Sequence, residues 1–344
     1  MKQLLMNRNE VFQRPSPKVL NTLKNFKAEH VNRYFDEIDG YYNSILIPKI
    51  SKIFGISDKQ VIISYGEEDF FRTVFERLSL QKDFILTSQL HYSYLDKYLY
   101  FKGINLLTFR MYEKDKNFVF DVEDCIKQYQ KFNPKVILIA SPNNPTGNSL
   151  SVTELEKILK NTRVETLVIF DEAYYGFDEG YNQQAFLSLL NKYANLVLLR
   201  SFSKRYALAG FRIGFALCGV NIKNLLNYQN RYLGLSRILE EVAIAALESE
   251  DYYKKISSEI IGDREYFIKS VRNFNNFKPF NSKANFVFMR VASGDIIKQM
   301  QDAFTKEEVI IGKFMDDNLL RVTIGYNEYT RKFLKLLERI DNLN

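Results

Sequence analysis

Lys204 closes the run Ser201-Phe202-Ser203-Lys204, and Arg212 follows eight residues later inside Ala207-Leu208-Ala209-Gly210-Phe211-Arg212-Ile213-Gly214. A lysine flanked by hydroxyls and followed by a fixed arginine can form an imine with a carbonyl compound while its neighbours bind a phosphate. Other polar clusters stand just after short apolar bursts: Asn143-Asn144, Asp171-Glu172-Ala173-Tyr174, and the segment around Gly66. Competing chemistries lack equipment. The two histidines, His30 and His91, sit in no metal-ligand pattern, and the two cysteines, Cys125 and Cys218, form no CxxC. A His-rich metal centre, a cysteine zinc site and a disulfide scaffold are therefore excluded. Neither GxxxxGK[ST] nor GxGxxG occurs, which disfavours a nucleotide-dependent enzyme.

These clusters need elements to hold them. Strand-length apolar runs at Val61-Ile62-Ile63, Phe84-Ile85-Leu86, Val136 to Ala140, Leu167 to Phe170, Leu196 to Leu199 and Ile213 to Leu217 alternate with helical stretches. Helices are expected over Phe70 to Leu80, Tyr92 to Phe101 and Asp121 to Lys131. Another runs from the capping box Ser151-Val152-Thr153-Glu154 to about Asn161, with Leu150 and Leu155 as its hydrophobic staple. Non-alternating apolar strands between helices signal a mostly parallel sheet covered on both faces, with ligands beyond the carboxyl ends of the strands. After about residue 235 the pattern changes to one mostly long helix from Arg237 to Phe274. Shorter strands (Asn285 to Arg290, Leu319 to Ile324) and a terminal helix from about Glu328 follow. The expected division is a large domain over 35–235, with 1–34 and 236–344 forming a smaller α+β domain with an N-terminal arm.

The bulk numbers agree with a globular α/β enzyme. The chain has 344 residues, 46% hydrophobic and 26% charged, against roughly 100–200 residues per domain. The formal net charge of +7 comes from 48 basic and 41 acidic residues interspersed along the chain, without the concentrated stripe a nucleic-acid binder needs. No apolar run is long enough to span a bilayer and no signal-peptide core opens the chain, so a cytoplasmic protein is expected.

Three longer motifs carry a family resemblance: Ser141-Pro142-Asn143-Asn144-Pro145-Thr146-Gly147, Phe170 to Phe177 (FDEAYYGF) and Leu199 to Gly214 (LRSFSKRYALAGFRIG). Weaker ones are Arg14–Pro17, Arg33–Asp36, Ser282–Arg290 and Leu319–Gly325, all in the same order. Together they resemble the fold-type I, pyridoxal-phosphate-dependent aminotransferases of class I/II, in the histidinol-phosphate aminotransferase branch. The resemblance implies a pyridoxal 5'-phosphate cofactor and Lys204 as the imine-forming, proton-moving lysine. It pairs Asp171 with the pyridine nitrogen, and Tyr174 and Asn144 with the ring's 3′ oxygen. Ser201, Ser203 and Arg212 would hold the cofactor phosphate, helped by backbone N–H groups at Gly66 and Glu67. Tyr92 would stack on the ring, Tyr34 would reach the cofactor phosphate of a neighbouring subunit in a homodimer, and Arg321 would fork onto the substrate α-carboxylate.

The same resemblance marks departures. The family's G-S-D-E phosphate loop is Gly66-Glu67-Glu68-Asp69 here, and the Glu67 side chain is expected to point away from the phosphate. The tyrosine of the family's opening NENPYGPSP is lost in Asn9-Glu10-Val11-Phe12, and its substrate-phosphate arginine is replaced by Gly312 or Lys313. The implied activity is amino-group exchange between glutamate, or a similar donor, and a small phosphorylated carbonyl compound. The alternative is a decarboxylase of a phosphorylated amino acid, similar to phosphothreonine decarboxylases, which share Glu67 and a tyrosine at the position of Tyr206. A non-catalytic, degenerate cofactor fold is the third, disfavoured by the intact core residues.

Overall fold

The computed structural model describes residues 3–27, 31, 37–38, 41–77, 83–220, 222, 234–312, 315 and 318–343. Tyr34 and Lys313 lie outside them, as does His30.

The central sheet has seven strands in the order Val61–Ser64, Gly214–Cys218, Leu196–Ser201, Leu167–Asp171, Val136–Ala140, Phe84–Ser88 and Asn105–Phe109. Its strands are apolar on both sides because both faces are covered. Ile137, Ile139, Val168, Phe170, Leu196 and Leu198 enter one core, while Val136, Leu138, Leu167, Ile169, Val197 and Leu199 enter another. Each such fully buried side chain stabilises the fold by roughly 1.5–3 kcal/mol. The sheet is parallel except for Gly214–Cys218, which runs antiparallel to both neighbours.

The Ser151 capping box forms as the sequence indicates, with Glu154 N donating to Ser151 Oγ and Ser151 N to Glu154 Oε2, and the helix spans Val152–Lys160. Two helices depart from expectation. One starts at Gly66 and not at Phe70, because its first turn is acidic (Glu67, Glu68, Asp69) and carries no apolar periodicity; it is described over Gly66–Arg77, and the expected end at Leu80 lies outside the described residues. Such a turn suits the positive end of the helix dipole. The long helix expected over Arg237 to Phe274 is two, Arg237–Leu247 and Glu250–Val271. At the break, Ser249 Oγ donates to Ala245 O at 2.8 Å and lies 2.8 Å from Ser16 Oγ of the arm.

A second, three-stranded antiparallel sheet joins Phe277–Pro279, Phe286–Val291 and Leu319–Thr323. Helices Gly294–Lys306 and Asn327–Asn342 share its core through Met300, Phe304, Phe333 and Leu337, packed with Val287 and Val322. The N-terminal strand Leu4–Met6 pairs in parallel with Val309–Ile311. The chain then crosses to the large core, where helix Pro17–Lys24 contributes Val19, together with Val242 and Tyr253. No described helix is long and apolar enough to cross a membrane.

Candidate active site

One antiparallel strand explains how Lys204 and Arg212 meet the other polar clusters. The segment between Ser201 and Gly214 leaves a parallel strand at its carboxyl end and returns along an antiparallel one, so both of its ends stay on the same sheet edge. Asp171 ends the adjacent strand, Asn144 follows the next, and Gly66 follows the edge strand whose Ser64 pairs with Gly214.

The phosphate-type corner is built by close approach. Gly66 has φ +79°, and a Cβ there would lie 2.9 Å from Arg212 Nη2; a Cβ on Gly214 would lie 3.0 Å from Gly66 C. Bare backbone at the start of a twelve-residue helix thus faces a guanidinium, the donor set an anion requires. Arg212 itself adopts φ 53°, and its Nη1 donates to Ser203 Oγ and Ala209 O, both at 3.3 Å. Ser203 N donates to Ser201 Oγ at 3.1 Å, which ties the two serines together.

Lys204 Nζ donates to Arg8 O at 2.8 Å and lies 5.7 Å from the centre of the Tyr174 ring. Burial holds its pKa down at about 8, with Arg321 and Arg212 acting in the same direction and Glu67 and Glu10 opposing them. Asp171 accepts from Ala173 N at 3.0 Å, and burial pushes its pKa up to about 7, reinforced by Glu172. An aspartate this desolvated lacks its cation, which suits the ring nitrogen of a protonated pyridine.

Tyr174 OH accepts from Asn9 Nδ2 at 2.9 Å and Asn144 Nδ2 at 3.5 Å, and burial pushes its pKa up to about 12. Arg321 Nη1 donates to Asn144 Oδ1 and Nη2 to Asn7 O at 2.7 Å, while its buried Nε has no partner. The guanidinium lies 5.5 Å over the Phe286 ring. Lys204, Asp171, Tyr174, Asn144, Arg321, Ser201, Ser203, Arg212 and Gly66 thus line one continuous site, and its amine, acid and anion cradle fit a phosphorylated pyridine aldehyde.

Glu67 corrects the expectation that its side chain turns away. Oε1 is buried without a hydrogen-bond partner, and the carboxyl feels Asp171, Lys204 and Arg212. Burial, then the nearby Asp171, pushes its pKa well up, because the first helical turn points it into the site. Tyr92 is 55% exposed, its ring 6.0 Å from that of Tyr94, and no described contact joins it to Lys204 or Asp171. Tyr206 is buried, accepting from Tyr175 OH at 2.8 Å and packing on Phe202 and Tyr253.

Sequence reasoning missed Asn9. Its backbone, at φ 54°, is held by Thr323 Oγ1, which accepts from Asn9 N at 3.0 Å, and by Asn285 Nδ2, which donates to Asn9 O at 3.0 Å. Its only signal was its place in the arm motif. Also missed was a fully buried pair behind the site: Arg200 Nε donates to Glu172 Oε2 at 2.7 Å, Nη2 donates to Tyr181 OH at 2.8 Å, and the guanidinium lies 4.4 Å over the Tyr175 ring. Arg200 and Glu172 each adjoin a site residue, Ser201 and Asp171.

The family model for Aminotransferase class I and II matches residues 3–337. A histidinol-phosphate aminotransferase of Clostridium botulinum (strain Okra / Type B1) is 30% identical over 355 residues, covering 99% of this chain and 93% of that relative. Among solved structures, the histidinol-phosphate aminotransferase of Sinorhizobium meliloti in complex with pyridoxal-5'-phosphate superposes with TM-score 0.84 at 22% identity, covering 99% of this chain and 91% of that one. The L-threonine-O-3-phosphate decarboxylase of Porphyromonas gingivalis has the same fold at TM-score 0.76 and 15% identity, covering 97% and 98%. The chain belongs to the aminotransferase class I and II family and is a pyridoxal-phosphate-dependent transaminase.

Proposed function

We propose that this transaminase exchanges an amino group between glutamate and a small phosphorylated carbonyl compound, with histidinol phosphate as the leading amino substrate. The observation that carries the assignment is the joint arrangement of Lys204 and Arg321. The amine and the guanidinium end on the carbonyls of consecutive residues, Arg8 and Asn7, so one small substrate can meet both. The name shared by the 30% identical relative supports the substrate class.

Bound pyridoxal phosphate supplies the electron sink. Asp171 would hold its ring nitrogen, Tyr174 and Asn144 its 3′ oxygen, and Ser201, Ser203, Arg212 and the N–H groups at Gly66 and Glu67 its phosphate. Lys204, with a pKa lowered to about 8, takes a proton from the substrate Cα and returns one, a task its ordinary pKa of 10.5 would hinder near neutrality. Arg321 fixes the carboxylate of the amino donor with a planar fork. We further assign Tyr34 to a partner subunit's site in a homodimer, and the enzyme to the cytoplasm.

Decarboxylation receives less support. Tyr206, one of its two distinguishing residues, has a packing role among Tyr175, Phe202 and Tyr253. The test is the loaded enzyme with histidinol phosphate and 2-oxoglutarate. Glutamate formation supports the assignment; release of CO₂ from a phosphorylated amino acid, without formation of a keto acid, replaces it with decarboxylation.

A further inference from the structure

Beyond the residues above, we propose that Arg8 is a specificity-determining residue that binds the phosphate of the substrate. The inference rests on the phosphorylated-substrate assignment just made.

Position and chemistry lead to it. Arg8 O accepts from Lys204 Nζ at 2.8 Å, which standard bond lengths convert to an Arg8 Cα within about 5 Å of the reacting amine. Its backbone is fixed on both sides. Leu4–Met6 is paired with Val309–Ile311, Asn7 O accepts from Arg321, and Asn9 is held by Thr323 and Asn285. Arg8 itself is exposed, and among the described residues no ion pair or hydrogen bond holds its guanidinium. Arg8 therefore offers an exposed guanidinium, unpartnered among the described residues, on a stem whose carbonyl meets the reacting amine.

The substrate supplies one. In a phosphate ester of an amino alcohol, the anion lies a CH₂–O unit farther from the amine-bearing carbon than a carboxylate does. With the amine at Lys204, that extension calls for a cation beyond the carboxylate position, and a long side chain rooted at residue 8 starts beside the amine. Arg321 carries a single positive charge, already shared with Asn144 Oδ1 and Asn7 O, and does not neutralise a dianion alone. A dianion with three terminal oxygens calls for further donors, and a bidentate arginine is the residue suited to give them. Arg212 is committed at the Gly66 corner. Glu10 brings negative charge to the same region, which increases the need for a second cation.

The test compares Arg8→Ala and Arg8→Lys with the wild-type holoenzyme, using histidinol phosphate, unphosphorylated histidinol and glutamate as amino substrates. Arg8→Ala is expected to lower kcat/KM for the phosphate ester roughly 10- to 100-fold more than for glutamate, the range of a charge-assisted hydrogen bond, and Arg8→Lys is expected to recover part of the loss. Inorganic phosphate should compete with the ester, and more weakly in Arg8→Ala. If the wild type requires the phosphate and Arg8→Ala keeps that preference undiminished, Arg8 is not the phosphate ligand. If the wild type handles histidinol as well as its phosphate, the phosphorylated-substrate assignment falls first and takes the role of Arg8 with it.

Discussion

Lys204 and Arg321 are bridged by two consecutive main-chain carbonyls: Arg8 O receives the amine at 2.8 Å and Asn7 O receives the guanidinium at 2.7 Å. The arm thereby sets the spacing between the group that moves a proton and the group that orients the substrate.

The depressed pKa of Lys204 has a direct kinetic signature. Cofactor-free enzyme should capture an aromatic aldehyde at a rate that rises with pH and reaches half its maximum near pH 8, well below the ordinary 10.5. Arg321→Ala removes a group that lowers the Lys204 pKa and should raise that midpoint; Glu67→Gln removes one that raises it and should lower that midpoint. A midpoint at the ordinary lysine value in all three proteins would remove the electrostatic argument.

Asp171 couples cofactor binding to stability. Its folded pKa of about 7 lies above the ordinary 3.8, so its contribution to the cofactor-free protein is present at low pH and is lost as pH rises through about 7. Asp171→Asn should therefore stabilise that protein more at pH 8 than at pH 5 in urea titrations, while weakening cofactor binding. Equal effects at both pH values would contradict the shift.

The Arg200–Glu172 pair is fully buried, so its two halves are unequal to their sum. Arg200→Ala or Glu172→Ala should each cost about 3–5 kcal/mol by chemical denaturation, because one charge remains buried alone. The double change to methionine should cost much less than the two single losses added together.

Arg321→Lys keeps the charge and loses the fork. The KM for glutamate should rise about tenfold, since a point charge cannot serve the carboxylate while also bonding Asn144 and Asn7. An unchanged KM in steady-state assays would move the carboxylate site elsewhere.

Much of this site is legible in sequence because its residues follow strands. Apolar runs announce the strands, and Asn144, Asp171 and Ser201 stand where parallel strands end. What was not legible depends on direction and on distance. Nothing in Gly214–Cys218 says that it runs antiparallel, yet that reversal keeps Arg212 beside Ser203. The inward turn of Glu67 follows from the start of its helix at Gly66, which an acidic turn hides from any apolar period. Asn9 meets Tyr174 across 165 residues, and Arg200 finds Glu172 across 28, contacts that no local pattern encodes.

The most direct test of the account is spectroscopic, on the cofactor-loaded enzyme and its Lys204→Ala variant. Glutamate should bleach the visible absorption of the wild type and a phosphorylated keto compound should restore it, while Lys204→Ala should do neither at a comparable rate. A Lys204→Ala protein that completes the cycle as fast as the wild type would contradict the account.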